Sequence, residues 1–415
     1  MTALSHVPVA RIVGAIADAA ERWADADFPA RVRAQALVVQ RTGYSLPVVE
    51  YALDQLFSSL QPAAIVATIE RELGQLAVLD GYASQGGDVR ARALPAGHTC
   101  IVSSRTTIGV ALWPALFALC AKCDVLVKDR EDGFIRAFFS TLAEELDEFA
   151  GAARAQQWTG DDDAVDLQAF DAVVAFGNDA TLARIAKQLS PNARYVAYGN
   201  KASAGYICAS ALSDQRAAAA IAAGAARDFV LYDTEGCLSL HMLFIERGGT
   251  ITPEAFARIL AAEIERATVE FPLGTRDAGA SAAVASARDL AAFRAAGGSG
   301  SVFSNPQASF VLLLDPPANE APPMLPRTLA AYSVDGPHDA QACVRKHGIP
   351  LEAIAVAGNT PAIARMAQTL GASRIARFGE LQRPPLLAYH GGRPRIAEFV
   401  RWITDETHEG ADDGR

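Results

Sequence analysis

From Thr99 onward the sequence alternates short apolar runs with helical ones, and this alternation limits the fold more than any other feature. Cys100-Ile101-Val102-Ser103 is followed by a helical stretch over 110–121 and the strand-like Asp124-Val125-Leu126-Val127-Lys128. A helix over 133–149 and the apolar run Asp171-Ala172-Val173-Val174-Ala175-Phe176 come next. Strand, helix and strand in succession predict an α/β fold with a mostly parallel sheet covered by helices. An internal echo extends the reading. Val174-Ala175-Phe176-Gly177-Asn178-Asp179 leads into the amphipathic stretch 180–189, and Ala355-Val356-Ala357-Gly358-Asn359-Thr360 leads into 361–370 in the same way. Each is an apolar strand, a Gly-Asn turn, a capping residue and a helix, followed by another strand-like segment at 193–197 or 374–378. Two similarly wound domains are predicted.

The first ninety or so residues read as helices instead. Apolar residues recur at helical spacing over 8–24 and 29–40, and Ser45-Leu46-Pro47 starts a third helix over 48–60. With 415 residues, 51% of them hydrophobic, the chain can bury two cores beside this extension. The balance of 37 basic against 47 acidic residues gives a net charge of -10, which removes nucleic acid from the expected partners. The most apolar stretch, 108–121, contains Pro114 and is too short for a bilayer, and 1–10 lacks a basic segment followed by a long apolar core. A cytoplasmic protein without a membrane span is expected.

Six cysteines are too sparse for a disulfide framework. Cys120 and Cys123 form a CxxC with no second pair and no nearby histidine, so a helix end packed on a strand is expected there rather than a metal site. Gly297-Gly298-Ser299-Gly300-Ser301 lacks the Gly-Lys ending of a phosphate-cradling loop and reads as a connector. The acidic stretch 404–415 reads as disordered.

Cys237 stands apart. It lies in Tyr232-Asp233-Thr234-Glu235-Gly236-Cys237-Leu238-Ser239-Leu240-His241, between an alanine-rich helical run and an apolar strand. A thiol in a polar loop is placed to act as a nucleophile, since cysteine carries some thiolate near neutral pH and a neighbouring cation raises that fraction. A buried structural thiol is the alternative. If 237–241 is extended, Cys237, Ser239 and His241 share one face, which puts an imidazole in position to stabilise a thiolate or protonate a leaving thiol. A satisfied sheet histidine is the other reading of His241.

Several segments together resemble the aldehyde dehydrogenase superfamily, in its long-chain acyl-CoA reductase branch, which includes the fatty-acid reductase component of bacterial luminescence. The resemblance covers roughly 95–403. It rests most on Gly236-Cys237-Leu238-Ser239, on Arg377-Phe378-Gly379-Glu380-Leu381-Gln382-Arg383-Pro384-Pro385, on His390-Gly391-Gly392-Arg393-Pro394 and on Val400-Arg401-Trp402. It implies two doubly wound Rossmann-like domains of aldehyde dehydrogenase type behind the helical N-terminal region. The expected division is 1–95 helical, 96–206 nucleotide-binding, 207–375 bearing the catalytic thiol, 376–403 returning to the core, and 404–415 as tail.

By the resemblance, Cys237 is the nucleophile and the reaction is NAD(P)H-dependent reduction of an acyl-CoA, or of an acyl-protein donor, to an aldehyde. Lys128 and Glu131 resemble the strand end near the adenosine ribose. Glu131 disfavours a 2′-phosphate and Arg130 accommodates one, so NADP and NAD both stay open. Phe176, Gly177, Asn178 and Asp179 correspond to a helix-start turn that approaches the cofactor phosphates, with Gly199 nearby. Relatives commonly self-associate, which implies a homo-oligomer. Two departures accompany the matches. Ala197 stands where ordinary aldehyde dehydrogenases carry the glutamate that activates water, which favours exchange with coenzyme A over hydrolysis. Thr106 stands where the family asparagine helps hold the oxyanion. A catalytically silent binding subunit and a hydrolytic aldehyde dehydrogenase are the rival readings.

Overall fold

The computed structural model describes residues 2–86, 88–104, 106–130, 133–158, 165–358 and 361–407. The chain begins with four helices: α1 (Val9–Ala24), α2 (Pro29–Thr42), α3 (Leu46–Ser58) and α4 (Pro62–Leu73). The first is amphipathic and buries Ile12, Ile16 and Trp23, whose indole N–H donates to the Thr141 hydroxyl at 2.9 Å. Two short strands follow, β1 (Ala83–Ser84) and β2 (Arg90–Pro95). These fall within or beside the stretch read as helical.

The predicted alternation then unfolds as β3 (His98–Val102), α5 (Leu112–Cys120), β4 (Asp124–Lys128), α6 (Phe134–Glu145), α7 (Phe149–Ala152), β5 (Ala153–Gln156), β6 (Ala172–Phe176), α8 (Asp179–Ala186) and β7 (Arg194–Tyr198). The single helix expected over 133–149 is interrupted at Leu146, whose backbone is extended. These strands form a parallel five-stranded sheet in the order β5-β4-β3-β6-β7. The chain winds outward from β3 in one direction, returns, and winds outward in the other, which is the doubly wound arrangement.

The second half repeats this plan. β8 (Ala202–Ile207), α9 (Gln215–Val230), β9 (Leu240–Glu246), α10 (Pro253–Glu270), α11 (Ala278–Ala296), β10 (Ser301–Ser304), β11 (Val311–Leu314), β12 (Thr328–Val334), α12 (Pro337–Lys346), β13 (Leu351–Ala357), α13 (Pro361–Thr369) and β14 (Arg374–Ala376) follow in order. Their sheet runs β10-β11-β12-β9-β8-β13-β14 and is parallel except for β10. Here β8 takes the central starting place that β3 takes in the first sheet. β15 (Val400–Asp405) pairs with β2 in a separate three-stranded sheet. Thr404 and Asp405, read as the start of a disordered tail, are therefore strand residues paired with Ala91 and Arg90.

Two compact units result: one within Met1–Thr42, Glu50–Gly199 and Pro385–Arg415, the other within Gly43–Val49 and Asn200–Pro384. The change falls at 199/200 rather than at the expected 206/207. The reason is that all of β8 is hydrogen-bonded between β9 and β13. Among the described residues no helix is long and apolar enough to cross a membrane, and no group of three or more His, Cys, Asp or Glu side chains could hold a metal ion. Cys120 ends α5 and Cys123 immediately precedes β4, both buried.

Candidate active site

In the first unit the residues expected to meet a cofactor gather at the carboxyl edge of the five-stranded sheet. Parallel sheets open their crevices at this edge. Lys128 ends β4, largely buried, with its ammonium 4.9 Å from the centre of the Trp158 ring. Phe176 ends β6 and stacks on Tyr198 at 4.8 Å, and His390 stacks on Tyr198 at 4.4 Å and lies 5.5 Å from Phe176, so the three rings form one cluster. Gly177 donates its N–H to the Tyr198 carbonyl at 3.2 Å. Asn178 caps α8, its side-chain oxygen accepting the Thr181 N–H at 2.8 Å. Asp179 opens the helix and is exposed, and Gly199 lies against it. Thr106 is exposed on the connection between β3 and α5. Ala197 packs with Tyr195 against the cluster of Cys100, Val173, Leu182 and Ile185. Glu131 lies outside the described residues.

In the second unit Cys237 sits at the opposite, amino edge of its sheet. The Ser239 N–H donates to the Gly236 carbonyl at 2.9 Å, so 236–239 is a turn and Cys237 is one of its two central residues. The Ser203 hydroxyl, on β8, holds the Cys237 carbonyl at 2.8 Å. Cys237 is half-buried. Burial pushes its thiol up to about 12 and Glu352 adds to the rise, while Lys201 and the backbone amides of Cys237 and Leu238 pull the other way. The expected ready supply of thiolate is thus absent from this state: at neutral pH the sulfur carries its proton.

The turn also changes the place of His241. Because 236–239 bends, the extended run begins only at Leu240, and the predicted common face of Cys237, Ser239 and His241 does not form. His241 is buried, its Nδ1 has no hydrogen-bond partner, and burial pushes the imidazole down to about 4. It is neutral at physiological pH and supplies no cation.

Three residues just before the thiol adopt left-handed backbone angles: Tyr232 (φ 55°), Asp233 (φ 49°) and Thr234 (φ 64°). Side chains rarely tolerate this region, at about 1–2 kcal/mol per residue. Local bonds hold it. The Asp233 carboxylate accepts from Arg327 Nε at 2.7 Å and from the Gly274 N–H at 3.0 Å, and the Thr234 hydroxyl donates to the Phe229 carbonyl at 2.8 Å. The Tyr44 ring meets Tyr232 edge-on at 6.0 Å.

Behind the turn, Gln382 donates to the Ser239 hydroxyl at 2.9 Å. Asp228, fully buried near the end of α9, accepts the N–H groups of Gly379 at 2.7 Å and Leu381 at 3.0 Å. The segment 378–382 is thereby tied both to α9 and to the thiol's turn. Burial pushes the Asp228 carboxyl up to about 7, although those N–H groups and Arg374 oppose it. Its folded pKa exceeds the unfolded value, so its contribution to stability is complete below about pH 4 and is lost as pH rises through 7. The melting temperature of the wild type relative to Asp228→Asn is therefore expected to fall between pH 5 and pH 8 in calorimetry. A difference that grows over that interval would remove the assignment.

Sequence reading missed Lys201, Ser203, Glu352 and Gln382 as neighbours of the turn. Glu352 left a signal: it interrupts the apolar run Leu351-Glu352-Ala353-Ile354-Ala355, and a buried acid in a central strand has a partner to find. That partner is Lys201, whose ammonium lies 2.9 Å from Glu352 Oε2.

Solved structures share this architecture. A proline utilization A variant from Bradyrhizobium japonicum superposes with a TM-score of 0.72 at 14% identity, over 97% of this chain and 43% of that one. Aldehyde dehydrogenase 21 from Physcomitrella patens gives 0.70 at 10% identity, over 97% and 86%. An NAD-dependent benzaldehyde dehydrogenase from Corynebacterium glutamicum gives 0.65 at 13% identity, over 97% and 86%. The chain spans less than half the length of the proline utilization A chains. At these identities the likeness defines the fold, that of the aldehyde dehydrogenases. The family model for acyl-CoA reductase (LuxC) matches residues 4–402, and the chain belongs to that family. Comparison with curated proteins gives no match.

Proposed function

We propose that this protein reduces an acyl-CoA, or an acyl group delivered by a partner protein, to an aldehyde through a thioester on Cys237. The observation that carries the reading is a cysteine in a constrained turn of a chain that matches the acyl-CoA reductase family over residues 4–402. The Cys237 sulfur attacks the acyl carbonyl, the bond to the coenzyme A sulfur breaks, and coenzyme A leaves with the proton that Cys237 gives up. When bound, reduced NAD or NADP supplies a hydride to the thioester carbon. With a proton from water this gives a thiohemiacetal on Cys237, whose carbon–sulfur bond then breaks to release aldehyde and return the thiol.

The residues at the carboxyl edge fit a dinucleotide. The Asn178 cap uses one of the free amides in the first turn of α8 and leaves others for an anion. A Cβ on Gly177 would crowd the Thr181 side chain at 3.3 Å, so a larger residue there would press on the first turn of α8. Lys128, Glu131, Phe176, Asp179 and Gly199 complete the proposed cofactor set, with Thr106 as an oxyanion donor. The packing of Ala197 against apolar neighbours gives water no base at that position, which supports transfer to coenzyme A over hydrolysis.

The test is consumption of NADH or NADPH with a panel of acyl-CoA chain lengths, alongside mass spectrometry of the peptide containing Cys237. The expected result is cofactor oxidation equal to aldehyde formed, with an acyl adduct on Cys237 when cofactor is withheld. No oxidation with any chain length and no adduct would favour a silent subunit.

A further inference from the structure

Lys201 and Glu352 act on the thiol of Cys237 in opposite senses, and they are bonded to each other. Lys201 immediately precedes β8, and Ser203, two residues on, holds the Cys237 carbonyl at 2.8 Å. Residues two apart in an extended segment project from the same face, so Lys201 extends on the side where Ser203 meets the turn. Glu352 is the second residue of β13, the strand paired with β8, where Leu351 lies opposite Ala202. The Lys201 ammonium lies 2.9 Å from Glu352 Oε2, with the two side chains 25% and 11% exposed. A partly buried pair of this kind is screened less than a surface one, so each partner's charge reaches its surroundings.

We propose that the Lys201–Glu352 pair governs ionisation of the Cys237 nucleophile, Lys201 favouring the thiolate and Glu352 the thiol, so that neutralising Glu352 arms the sulfur and neutralising Lys201 disarms it. The inference rests on the reading of Cys237 as the acyl acceptor. Ionisation breaks the S–H bond, leaves the electron pair on sulfur and passes the proton to water. Burial chiefly keeps the proton on the sulfur; Glu352, bonded to Lys201, adds to that and Lys201 opposes it.

Other groups face this cluster. Arg374, at the start of β14, interacts with Glu352 and with Asp228 on α9. His241 on β9 is neutral, and the amides of Cys237 and Leu238 act on the sulfur from the turn itself. Replacing Glu352 also removes a partner of Arg374, and the freed guanidinium, if it reaches the sulfur, acts in the same sense as Lys201. The two substitutions consequently predict opposite signs.

The experiment is iodoacetamide alkylation of the full-length protein at pH 8, with the rate read at Cys237 by peptide mass mapping. A shift of about one pKa unit changes the thiolate population about tenfold, and the accompanying change in nucleophilicity reduces the net effect on rate to about threefold. Glu352→Gln is expected to react about threefold faster than wild type, Lys201→Gln about threefold slower, and the double variant near the wild-type rate. A loosened fold would accelerate both single variants, so acceleration of both, or no change in either, overturns the proposal. Each variant decides the sign by itself, so one that fails to fold leaves the other as the test. Alkylation reads the charge pair without substrate. Failure of the wild type to form an acyl adduct would sink the reductase reading while leaving this result intact.

Discussion

Replacing Cys237 with serine is expected to lower acyl-CoA reduction by on the order of 10⁴-fold and to abolish the acyl adduct, with the fold unchanged. The size of the effect follows from chemistry. Serine keeps the turn, since the Cys237 contact with Ser203 is made by the backbone carbonyl and the turn closes between Ser239 and Gly236. What is lost is the sulfur: a serine hydroxyl is a far weaker acyl acceptor near neutral pH than a cysteine thiol, so the acyl-enzyme forms far more slowly. Single-turnover kinetics with mass spectrometry checks both halves. Retention of adduct on the same peptide in the serine variant at wild-type rate would place the acyl acceptor on another residue.

Winding was the most legible property of the sequence. The echo between 174–189 and 355–370 proves to join equivalent parts of the two sheets: β6-α8-β7 and β13-α13-β14 each lead outward on the returning side of the winding. Apolar runs and Gly-Asn turns encode this locally, although Asn359 and Thr360 themselves lie outside the described residues. The strand-end placement of Lys128 and Phe176 and the helix cap at Asn178, where the cofactor is proposed to bind, were legible for the same reason.

The surroundings of Cys237 were not legible. They are assembled from the starts of β8, β9 and β13 and from 378–382, so residues 201, 237, 352 and 382 become neighbours only through sheet order. The geometry of the turn was hidden as well. Nothing in Tyr232-Asp233-Thr234 announces a left-handed run, since glycine, the residue that favours it, is absent from all three positions. Extended geometry was the simpler expectation for 237–241, and it gave His241 a role that a turn and burial deny it.

Arg327→Met is expected to destabilise the protein by about 3–5 kcal/mol, because it leaves Asp233 as a buried acid without its cation. Arg327 is fully buried and bonds in four directions: Nε to Asp233, one terminal nitrogen to the Phe271 carbonyl at 2.9 Å, the other to the Thr268 hydroxyl at 3.3 Å, and its backbone N–H to the Asp233 carbonyl at 3.0 Å. Methionine fills much of the space and keeps only the last of these. The strained residues 232–234 would then be free to relax, which adds a second consequence: loss of Cys237 acylation beyond the loss of folded protein. Arg294→Met provides the contrast. Arg294 makes two bonds to Glu320, at 2.7 and 2.6 Å, shorter on average than those of Arg327, yet both side chains reach solvent. An exposed pair is screened by solvent and contributes little, so its removal should barely move the denaturant midpoint. Equal shifts for the two variants would mean that burial does not set the strength of the Arg327–Asp233 contact, and the account of how the turn is held would fail.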